Sequence, residues 1–377
     1  MNGVASTRPY FSPAQERFVQ RGVRDVLRSG RLILGPYTRQ FEEGMRKYVD
    51  TSFAIAVGSC TAALEIVLRF LGVQDREVIV PTNTFVASAN AVLFAGGHPV
   101  LADIDPGSLC LDLPDLERKI SPRTRAVMVV HVAGLLHPQI EEIVRICARH
   151  RLALIEDVAH AAGATFKGRK AGSFGDAGCF SFYPTKVMTT GTGGLITTRH
   201  PDLAVYAQRV RHHGAGSGGL TDIQELGNDW LISEISAVIG LAQLSEIEAM
   251  IARRRGVAAR YAGAVAGSDW LEALPQYADC RHVFYKYPVL LESAGLRKTV
   301  ADRLKADYRI ETGSVYDPPI HRQPYHARRM GLKAEEFPLA ESVLGRILCL
   351  PIAVGMTDAA IDHVLSSLRT VRAAVVA

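Results

Sequence analysis

The feature of the sequence that most constrains its fold is an alternation of short apolar runs with helical patterns between about residues 51 and 200. The apolar runs include FAIAVGS, REVIVPT and LALIED, and segments such as TAALEIVLRFLGV and PQIEEIVRICARHR separate them. This rhythm predicts a parallel sheet, and the continuous apolar character of the runs indicates that helices cover both faces. In such sheets the functional side chains lie at the carboxyl ends of the strands.

After about residue 245 the pattern changes to a long helical stretch, a strand-like FYKYPVLL and further helices. This change is typical of a smaller α+β unit. We therefore predict an α/β protein with a large doubly wound domain at residues 1–248 and a small α+β domain at residues 249–377, with the boundary inside or beside the long helix.

Charge and hydropathy restrict the partners of the chain. The formal net charge of +5 is spread over 377 residues, which is too dilute to bind a nucleic-acid polymer. We interpret the run Arg253, Arg254 and Arg255 as the solvated face of a helix. The most apolar run, AVMVVHVAGLL, is too short to cross a bilayer, and the first residues lack the apolar core of a secretory signal. We expect a cytoplasmic protein with no membrane partner.

Several catalytic classes are excluded because their motifs are absent from the sequence. The six cysteines are dispersed without zinc-binding spacing, so we expect free thiols and no metal site. No GxSxG, HExxH or GxxxxGK[ST] motif occurs. The glycines of GAGSGG, Gly214, Gly216 and Gly219, have dinucleotide-fingerprint spacing but follow a helical run instead of a strand, so we predict a flexible loop.

Two side chains between residues 155 and 197 point to chemistry. Lys186 lies between CFSFYPT and the small-residue stretch MTTGTGG. An amine shielded in this way suits a Schiff base with an aldehyde, although a structural or surface lysine is the alternative. Asp157 ends the apolar run LALIED, where a carboxylate needs a partner. In a lysine Schiff-base enzyme that partner is the ring nitrogen of pyridoxal phosphate; a helix-capping or salt-bridged Asp is the alternative.

Two further features fit the same cofactor. His160 could donate a hydrogen bond to the ring hydroxyl, although a lone His is more often a satisfied core residue. In GSCTAALEIVLRFL a strand-like run leads into a helix, whose first amides can bind a phosphate. Thr61 would add a hydroxyl and Cys60 mainly its N–H, and an ordinary N-cap at this helix is compatible with that role.

These motifs resemble the DegT/DnrJ/StrS family of sugar aminotransferases, which are pyridoxal-phosphate enzymes with the fold type I of aspartate aminotransferase. The resemblance covers almost the whole chain. It is carried by these blocks, in chain order: SGRLILGPYTRQFEE, GSCTAALEIVL, VIVPTNTFVASANAVLFAGGHPVLADID, IEDVAHAAGATFKG, SFYPTK, GTGGLITT, PPIHRQPY and LCLPI.

The resemblance implies a role for each matching position. Lys186 would hold the cofactor covalently, Asp157 would pair with the ring nitrogen, and both would be catalytic. His160 would lie near the ring oxygen and Phe85 would stack on the ring. The phosphate would be bound by Cys60, Thr61 and Ser181, and by Asn228 from a neighbouring subunit, which implies a homodimer with shared sites. Tyr183 and His321 would lie near the substrate.

The implied reaction is the transfer of an amino group from an amino acid, with L-glutamate expected, to a keto sugar, with a nucleotide-linked sugar expected. A sugar 3-dehydratase of the same family has His in place of the lysine, so Lys186 speaks against it. The acceptor could instead be a cyclitol ketone or an unactivated sugar phosphate, and a non-catalytic regulatory homologue is a further hypothesis. Cys60 stands where the family usually has Gly and Tyr183 where His is frequent, which leaves the substrate open.

Overall fold

The computed structural model of the protein describes residues 3–375. Its α-helices are α1 Pro13–Ser29, α2 Pro36–Val49, α3 Cys60–Phe70, α4 Val86–Phe94, α5 Leu113–Lys119, α6 Ile140–His150, α7 Pro201–Val210, α8 Glu234–Ser245, α9 Ile247–Val265, α10 Ala294–Tyr308, α11 Pro324–Met330, α12 Pro338–Val343 and α13 Asp358–Val375. Its strands are β1 Phe53–Val57, β2 Glu77–Pro81, β3 His98–Ala102, β4 Thr124–Val130, β5 Ala153–Asp157, β6 Thr165–Phe166, β7 Arg169–Lys170, β8 Ala177–Ser181, β9 Gly194–Thr198, β10 Ala215–Gly216, β11 Gly219–Ile223, β12 Leu271–Ala273, β13 Cys280–Arg281, β14 Tyr287–Leu291 and β15 Ile347–Leu350.

The central sheet has seven strands in the order β1-β9-β8-β5-β4-β2-β3. The pairs β2–β3, β2–β4, β4–β5 and β5–β8 are parallel, whereas β9 runs antiparallel to both β1 and β8. The predicted α/β class with a mostly parallel sheet is therefore confirmed. Because β5 lies in the middle, its carboxyl end is flanked on both sides by other strand ends.

Helices cover both faces of this sheet. Alternate strand residues such as Val78 and Met128 pack with α3, α4 and α7, while their neighbours Ile79 and Val127 pack with α2, α5, α6 and α8. Each face thus buries its own apolar cluster, which explains the continuous apolar runs in the sequence.

A third apolar cluster joins β14 and β15 to α9, α10 and α13. The antiparallel sheet β12-β14-β15 forms its base. Helix α9 contributes Ile247 and Ile251 to a cluster of the large sheet and Val257 and Tyr261 to this third cluster. The long helix therefore reaches from one core to the other, and the division of the chain at residue 248 stays a prediction; residues 376 and 377 lie outside the described residues.

The structure corrects two interpretations of the sequence. Arg254 is only 2% exposed and donates to the carbonyl oxygens of Phe284 and Ile352, so the arginine run is not a wholly solvated face. The GAGSGG segment was expected to be a flexible loop, but Ala215 pairs with Ile223 and Gly216 with Gly219 in the β10–β11 hairpin. The partners of Arg254 are distant in the chain, and Ile223, which pairs with Ala215, follows the motif, so the composition of each motif did not reveal them.

Between residues 3 and 375, no single helix has the length and apolar composition needed to cross a membrane. The pair α8 and α9, bent by 60°, meets that test of length and composition together.

The start of α2 depends on a carboxylate from a distant helix. The N-cap position is Gly35, which has no side chain to accept from the first helical N–H groups. Glu234, at the start of α8, is fully buried and accepts from the N–H groups of Gly35, Tyr37 and Thr38 at 2.9 Å each. Its charge also faces the positive end of the helix dipole. This contact fixes α2 to α8.

We predict that Glu234→Ala lowers the free energy of unfolding by about 3 kcal/mol, because three backbone N–H groups and the Thr38 hydroxyl lose their acceptor. Urea unfolding followed by circular dichroism measures the change. The matched control is Glu272→Ala, an exposed glutamate on β12, which should change stability by no more than about 0.5 kcal/mol. Equal unfolding midpoints for the two variants would contradict the capping role.

Candidate active site

A cavity of about 420 Å³ opens at the carboxyl ends of β4, β5 and β8. Strand ends and the loops that follow them supply its walls, as expected for a sheet of this kind. The residues that line it include Cys60, Thr61, Phe85, Asp157, His160, Ser181, Tyr183, Lys186, Tyr285 and Tyr316. Eight of the ten predicted site residues therefore lie around one cavity.

Asp157 forms the floor of the cavity and is 5% exposed. Its Oδ1 accepts from the N–H of Ala159 at 3.0 Å and its Oδ2 from the hydroxyl of Ser88 at 2.8 Å. Burial raises the pKa of this carboxyl above its ordinary value, and the two neutral donors together with the nearby charge of Lys186 offset the effect only in part. The ionised group thus lacks a cationic hydrogen-bond partner in the described part of the chain.

Lys186 lies on the loop between β8 and β9, and its backbone N–H donates to the carbonyl of Tyr183 at 3.0 Å. Its Nζ lies 4.8 Å from the centre of the Tyr285 ring, a cation–π distance. The hydroxyl of Tyr285 is 3.2 Å from that of Thr185. Burial raises the pKa of Tyr285, but the charges of Lys186 and Lys286 outweigh this and lower it. The amine is therefore held by an aromatic ring at the cavity wall.

The amino end of α3 provides a wall rich in N–H groups. The Ser59 hydroxyl accepts from the N–H of Ala62 at 3.1 Å, and the Ser59 carbonyl accepts from Ala63 at 3.0 Å. Within residues 3–375 no acceptor takes the N–H groups of Cys60 and Thr61, so both remain available to an anion.

Gly194 packs directly beneath this helix start. A Cβ at Gly194 would lie 2.3 Å from the carbonyl carbon of Ser59 and 2.6 Å from the backbone nitrogen of Cys60. Only glycine permits this approach of β9 to α3. Ser181, at the end of β8, adds a hydroxyl to the same wall. The sequence prediction of an anion cradle thus corresponds to a close-packed backbone arrangement.

Two aromatic residues lie at the mouth of the cavity. Phe85 is the N-cap residue of α4 and is 58% exposed, and Tyr183 is 57% exposed. The ring of Phe85 is 6.1 Å from that of Tyr316, measured between centroids. Large exposed rings at a cavity mouth are suited to contact a bound planar group or a substrate.

His160 is buried beside the cavity and already has partners for both ring nitrogens. Its Nδ1 accepts from the N–H of Ala133 at 3.3 Å, and its Nε2 lies 2.7 Å from the hydroxyl oxygen of Tyr316. The ring stacks on Tyr285 at 4.2 Å. Burial holds the pKa of His160 well below its usual range, so the ring is neutral.

The other two predicted residues lie away from this cavity. His321 is buried, with Nδ1 2.6 Å from the Thr82 hydroxyl and Nε2 2.7 Å from a carboxylate oxygen of Glu341. Asn228 is exposed, and its side chain accepts from the N–H of Asp229 at 2.8 Å. Their proximity to substrate and to a partner's phosphate stays a prediction.

Sequence reasoning missed three residues of the site. Ser88 contacts Asp157, Tyr285 contacts Lys186, and Tyr316 contacts His160. Ser88 lies in the stretch NTFVASAN, so helical spacing from Phe85 could have indicated it. Tyr285 and Tyr316 come from segments far beyond Lys186 in the chain, and no local pattern marks them.

Comparisons with known proteins agree with this geometry. Residues 13–369 match the model of the DegT/DnrJ/EryC1/StrS aminotransferase family. The chain is 37% identical over 340 residues to GDP-perosamine synthase of Caulobacter vibrioides, covering 89% of this chain and 90% of the relative. The aminotransferase TlmJ of Streptoalloteichus hindustanus superposes with a TM-score of 0.91 at 30% identity, over 99% and 100% of the two chains. The PLP form of Spr1654, a putative sugar aminotransferase of Streptococcus pneumoniae, superposes with a TM-score of 0.91 at 27% identity over 98% of each chain.

The fold and the cavity are those of a pyridoxal-phosphate-dependent transferase of fold type I. The chain belongs to the DegT/DnrJ/EryC1/StrS aminotransferase family. The predicted class, a pyridoxal-phosphate-dependent sugar aminotransferase, is confirmed.

The residues present fit this cofactor. Asp157 is a buried carboxylate without a cationic hydrogen-bond partner in the described residues, which suits a protonated ring nitrogen. The N–H groups of Cys60 and Thr61 suit a phosphate, and the amine of Lys186 suits an aldehyde. The three complementary groups line one cavity, so each can meet a different part of one molecule.

We predict that Asp157→Asn stabilises the cofactor-free protein at pH 7 and weakens its affinity for pyridoxal phosphate. The raised pKa means that the stability contribution of the protonated carboxyl is complete below the unfolded-state pKa and is lost as pH rises through the folded-state pKa. An amide avoids the cost of the buried charge, for a gain of about 1 kcal/mol, but cannot pair with a ring cation.

Urea unfolding with and without pyridoxal phosphate measures both effects. Asp307→Asn, at an exposed position of α10, is the matched control and should change neither. If Asp157→Asn destabilised the cofactor-free protein and left its cofactor affinity unchanged, this account of the carboxylate would be overturned.

Proposed function

We propose that the protein transfers an amino group from L-glutamate to a nucleotide-linked keto sugar, with Lys186 and Asp157 as its catalytic residues. The observation that carries this proposal is that an amine, a buried carboxylate and a pair of available N–H groups line one cavity. Each of the three matches a different part of pyridoxal phosphate. A regulatory homologue has no need of this combination.

Pyridoxal phosphate supplies an electron-withdrawing ring that makes a proton on the carbon beside the donor nitrogen removable. Lys186 would be the base that takes this proton and returns it, because its amine lines the same cavity. Tyr285 and Thr185 keep the side chain of Lys186 at the cavity wall during this step. The same amine then serves the acceptor half of the reaction.

Asp157 would keep the ring nitrogen protonated by pairing its buried carboxylate with it. Its orientation is fixed by the N–H of Ala159 and the hydroxyl of Ser88, so the carboxylate does not have to reorganise. Cys60 and Thr61 would bind the phosphate through their N–H groups, and Ser181 would bind it through its hydroxyl. Phe85, which is exposed at the cavity mouth, would contact the ring.

The sugar acceptor is inferred from the cavity mouth and from the relatives. Phe85 and Tyr183 are exposed there, and aromatic faces suit the apolar faces of a sugar ring. A relative named GDP-perosamine synthase supports a nucleotide-linked sugar. Tyr183 contacts the substrate in this proposal, and His321 supports the same region through Thr82, which lies two residues before the cavity residue Thr84.

We propose that the active protein is a homodimer whose subunits share their sites. Asn228 is exposed and lies outside the cavity of its own chain, as expected for a residue that reaches the phosphate of a neighbour. Leu220, Ile223 and Leu226, on and beside the β10–β11 hairpin, are 58%, 55% and 83% exposed, which suits a protein interface.

All six cysteines are free, which suits the reducing cytoplasm as the place of reaction.

We predict that borohydride treatment of the loaded protein fixes the cofactor to Lys186, because the amine and the aldehyde form a reducible bond. Peptide mass spectrometry locates the label, and Lys186→Ala should carry none and transfer no amino group. Lys286→Ala is the matched control, since Lys286 also lies near Tyr285 but outside the cavity lining. Labelling of another lysine would exclude the proposed role.

The acceptor is tested with the glutamate-treated protein, in which the visible absorption is lost. A nucleotide-linked keto sugar should restore that absorption, whereas a cyclitol ketone or a free keto sugar phosphate should not. Restoration by only one of the latter two would replace the proposed acceptor with that compound.

We predict that mixing Lys186→Ala with Asn228→Asp chains restores activity. If sites are shared, a hybrid dimer has one doubly defective and one intact site, so equal mixing gives about one quarter of the wild-type activity. The carboxylate of Asn228→Asp would repel phosphate, which inactivates the homodimer. Lys186→Ala mixed with Asp157→Asn is the control, because those defects lie in each chain's own site and should not complement. A mixture no more active than its separate components would argue against sharing.

A further inference from the structure

The sheet order separates two sides of the cavity around Asp157. Strands β8 and β9, and helix α3 packed on them, lie on one side of β5, and this side carries the N–H groups proposed to bind phosphate. On the other side is β4, followed by Ala133, which contacts His160. Tyr316 joins His160 on this second side.

The hydrogen bonds of His160 determine which of its nitrogens carries the proton. The backbone N–H of Ala133 can only donate, so Nδ1 of His160 is an acceptor and has no proton. The ring is buried and neutral, so its proton lies on Nε2. Nε2 therefore donates to the hydroxyl oxygen of Tyr316 at 2.7 Å.

This direction leaves the hydroxyl proton of Tyr316 unused. Between residues 3 and 375 the Tyr316 hydroxyl has no hydrogen-bond partner other than His160. The residue lines the cavity, and its backbone N–H is anchored by the side-chain oxygen of Asn83 at 2.6 Å. Burial raises the pKa of Tyr316 well above its usual range, so the phenol keeps its proton at neutral pH.

Pyridoxal phosphate carries its ring oxygen on the side of the ring opposite the phosphate arm. With the phosphate at α3 and the ring nitrogen at Asp157, that oxygen faces the side of His160 and Tyr316. We propose that Tyr316 is the residue that donates a hydrogen bond to the ring oxygen, and that His160 is a positioning residue that directs the Tyr316 hydroxyl. This inference rests on the proposed function and replaces His160 as the direct donor.

The charges around this pair are defined by the packing. Asp157 and the phenol of Tyr285 face Tyr316, and the thiol of Cys349 lies near it as well. Lys186 and Lys286 act on His160 and oppose its protonation. None of these groups is altered by Tyr316→Phe, which removes only the two hydrogen bonds of the hydroxyl: the one accepted from His160 and the one proposed to the ring oxygen.

The test is a pH titration of the visible absorption of the loaded protein. A donor at the ring oxygen stabilises its negative charge, which favours the deprotonated form of the chromophore. Tyr316→Phe should therefore move the titration midpoint upward by about one pH unit, the size expected for one hydrogen bond to a charged group. The cofactor dissociation constant, measured by fluorescence quenching, should rise about tenfold or less.

Two variants of His160 form a matched pair. The side-chain nitrogen of Gln can replace Nε2 of histidine, whereas that of Asn replaces Nδ1 in position. His160→Gln should keep the wild-type midpoint because it still donates to Tyr316. His160→Asn should shift the midpoint in the same direction as Tyr316→Phe, and adding Tyr316→Phe to it should produce little further change.

The outcomes separate this inference from the proposed function. Failure of the wild-type protein to bind pyridoxal phosphate would refute both. Normal binding with an unshifted midpoint in Tyr316→Phe would refute only the role of Tyr316. If His160→Asn adds a further shift of full size when it is introduced into Tyr316→Phe, His160 is itself the direct donor and the proposed relay is refuted.

Discussion

The site depends on one buried carboxylate whose charge the surrounding protein compensates incompletely. Asp157 is held at the end of the central strand by two neutral donors, Ala159 and Ser88, and its pKa is raised by burial. A protein without a ligand for this position would gain stability from an apolar or amide side chain there. The arrangement is favourable only when a cation enters the cavity, so stability has been exchanged for affinity toward a ring with a protonatable nitrogen.

The antiparallel strand β9 places Lys186 opposite this carboxylate. Because β9 returns beside β8, with Ser181 paired to Gly194, the connection between them stays at the carboxyl edge of the sheet. Lys186 lies in that connection, and Gly194 allows its strand to contact the start of α3. One reversal of strand direction therefore brings the amine to the carboxylate and the anion cradle.

Local sequence was sufficient where a residue and its function lie in one strand–loop segment. The run LALIED indicated Asp157, the loop before MTTGTGG indicated Lys186, and the GSCT helix start indicated Cys60 and Thr61. The α/β class followed from apolar periodicity in the same way. Tyr316, Tyr285 and the buried Arg254 were not predictable, because their surroundings are created by contacts across the chain. For His160 the position was predictable, but the direction of its hydrogen bond required the backbone N–H of Ala133.

The neighbour of Asp157 shows that burial alone does not determine the electrostatics of this strand. Glu156 is fully buried too, and burial pushes its pKa upward. However, the hydrogen bond from His131 at 2.9 Å and the N–H groups of Gly172 and Gly175 at 2.8 Å outweigh that effect and lower its pKa. Two adjacent carboxylates on opposite faces of β5 thus have opposite pKa shifts. The fold supplies Glu156 with enough hydrogen-bond donors to remain ionised. Asp157 receives fewer donors, so a bound ligand has to provide the remaining compensation of its charge.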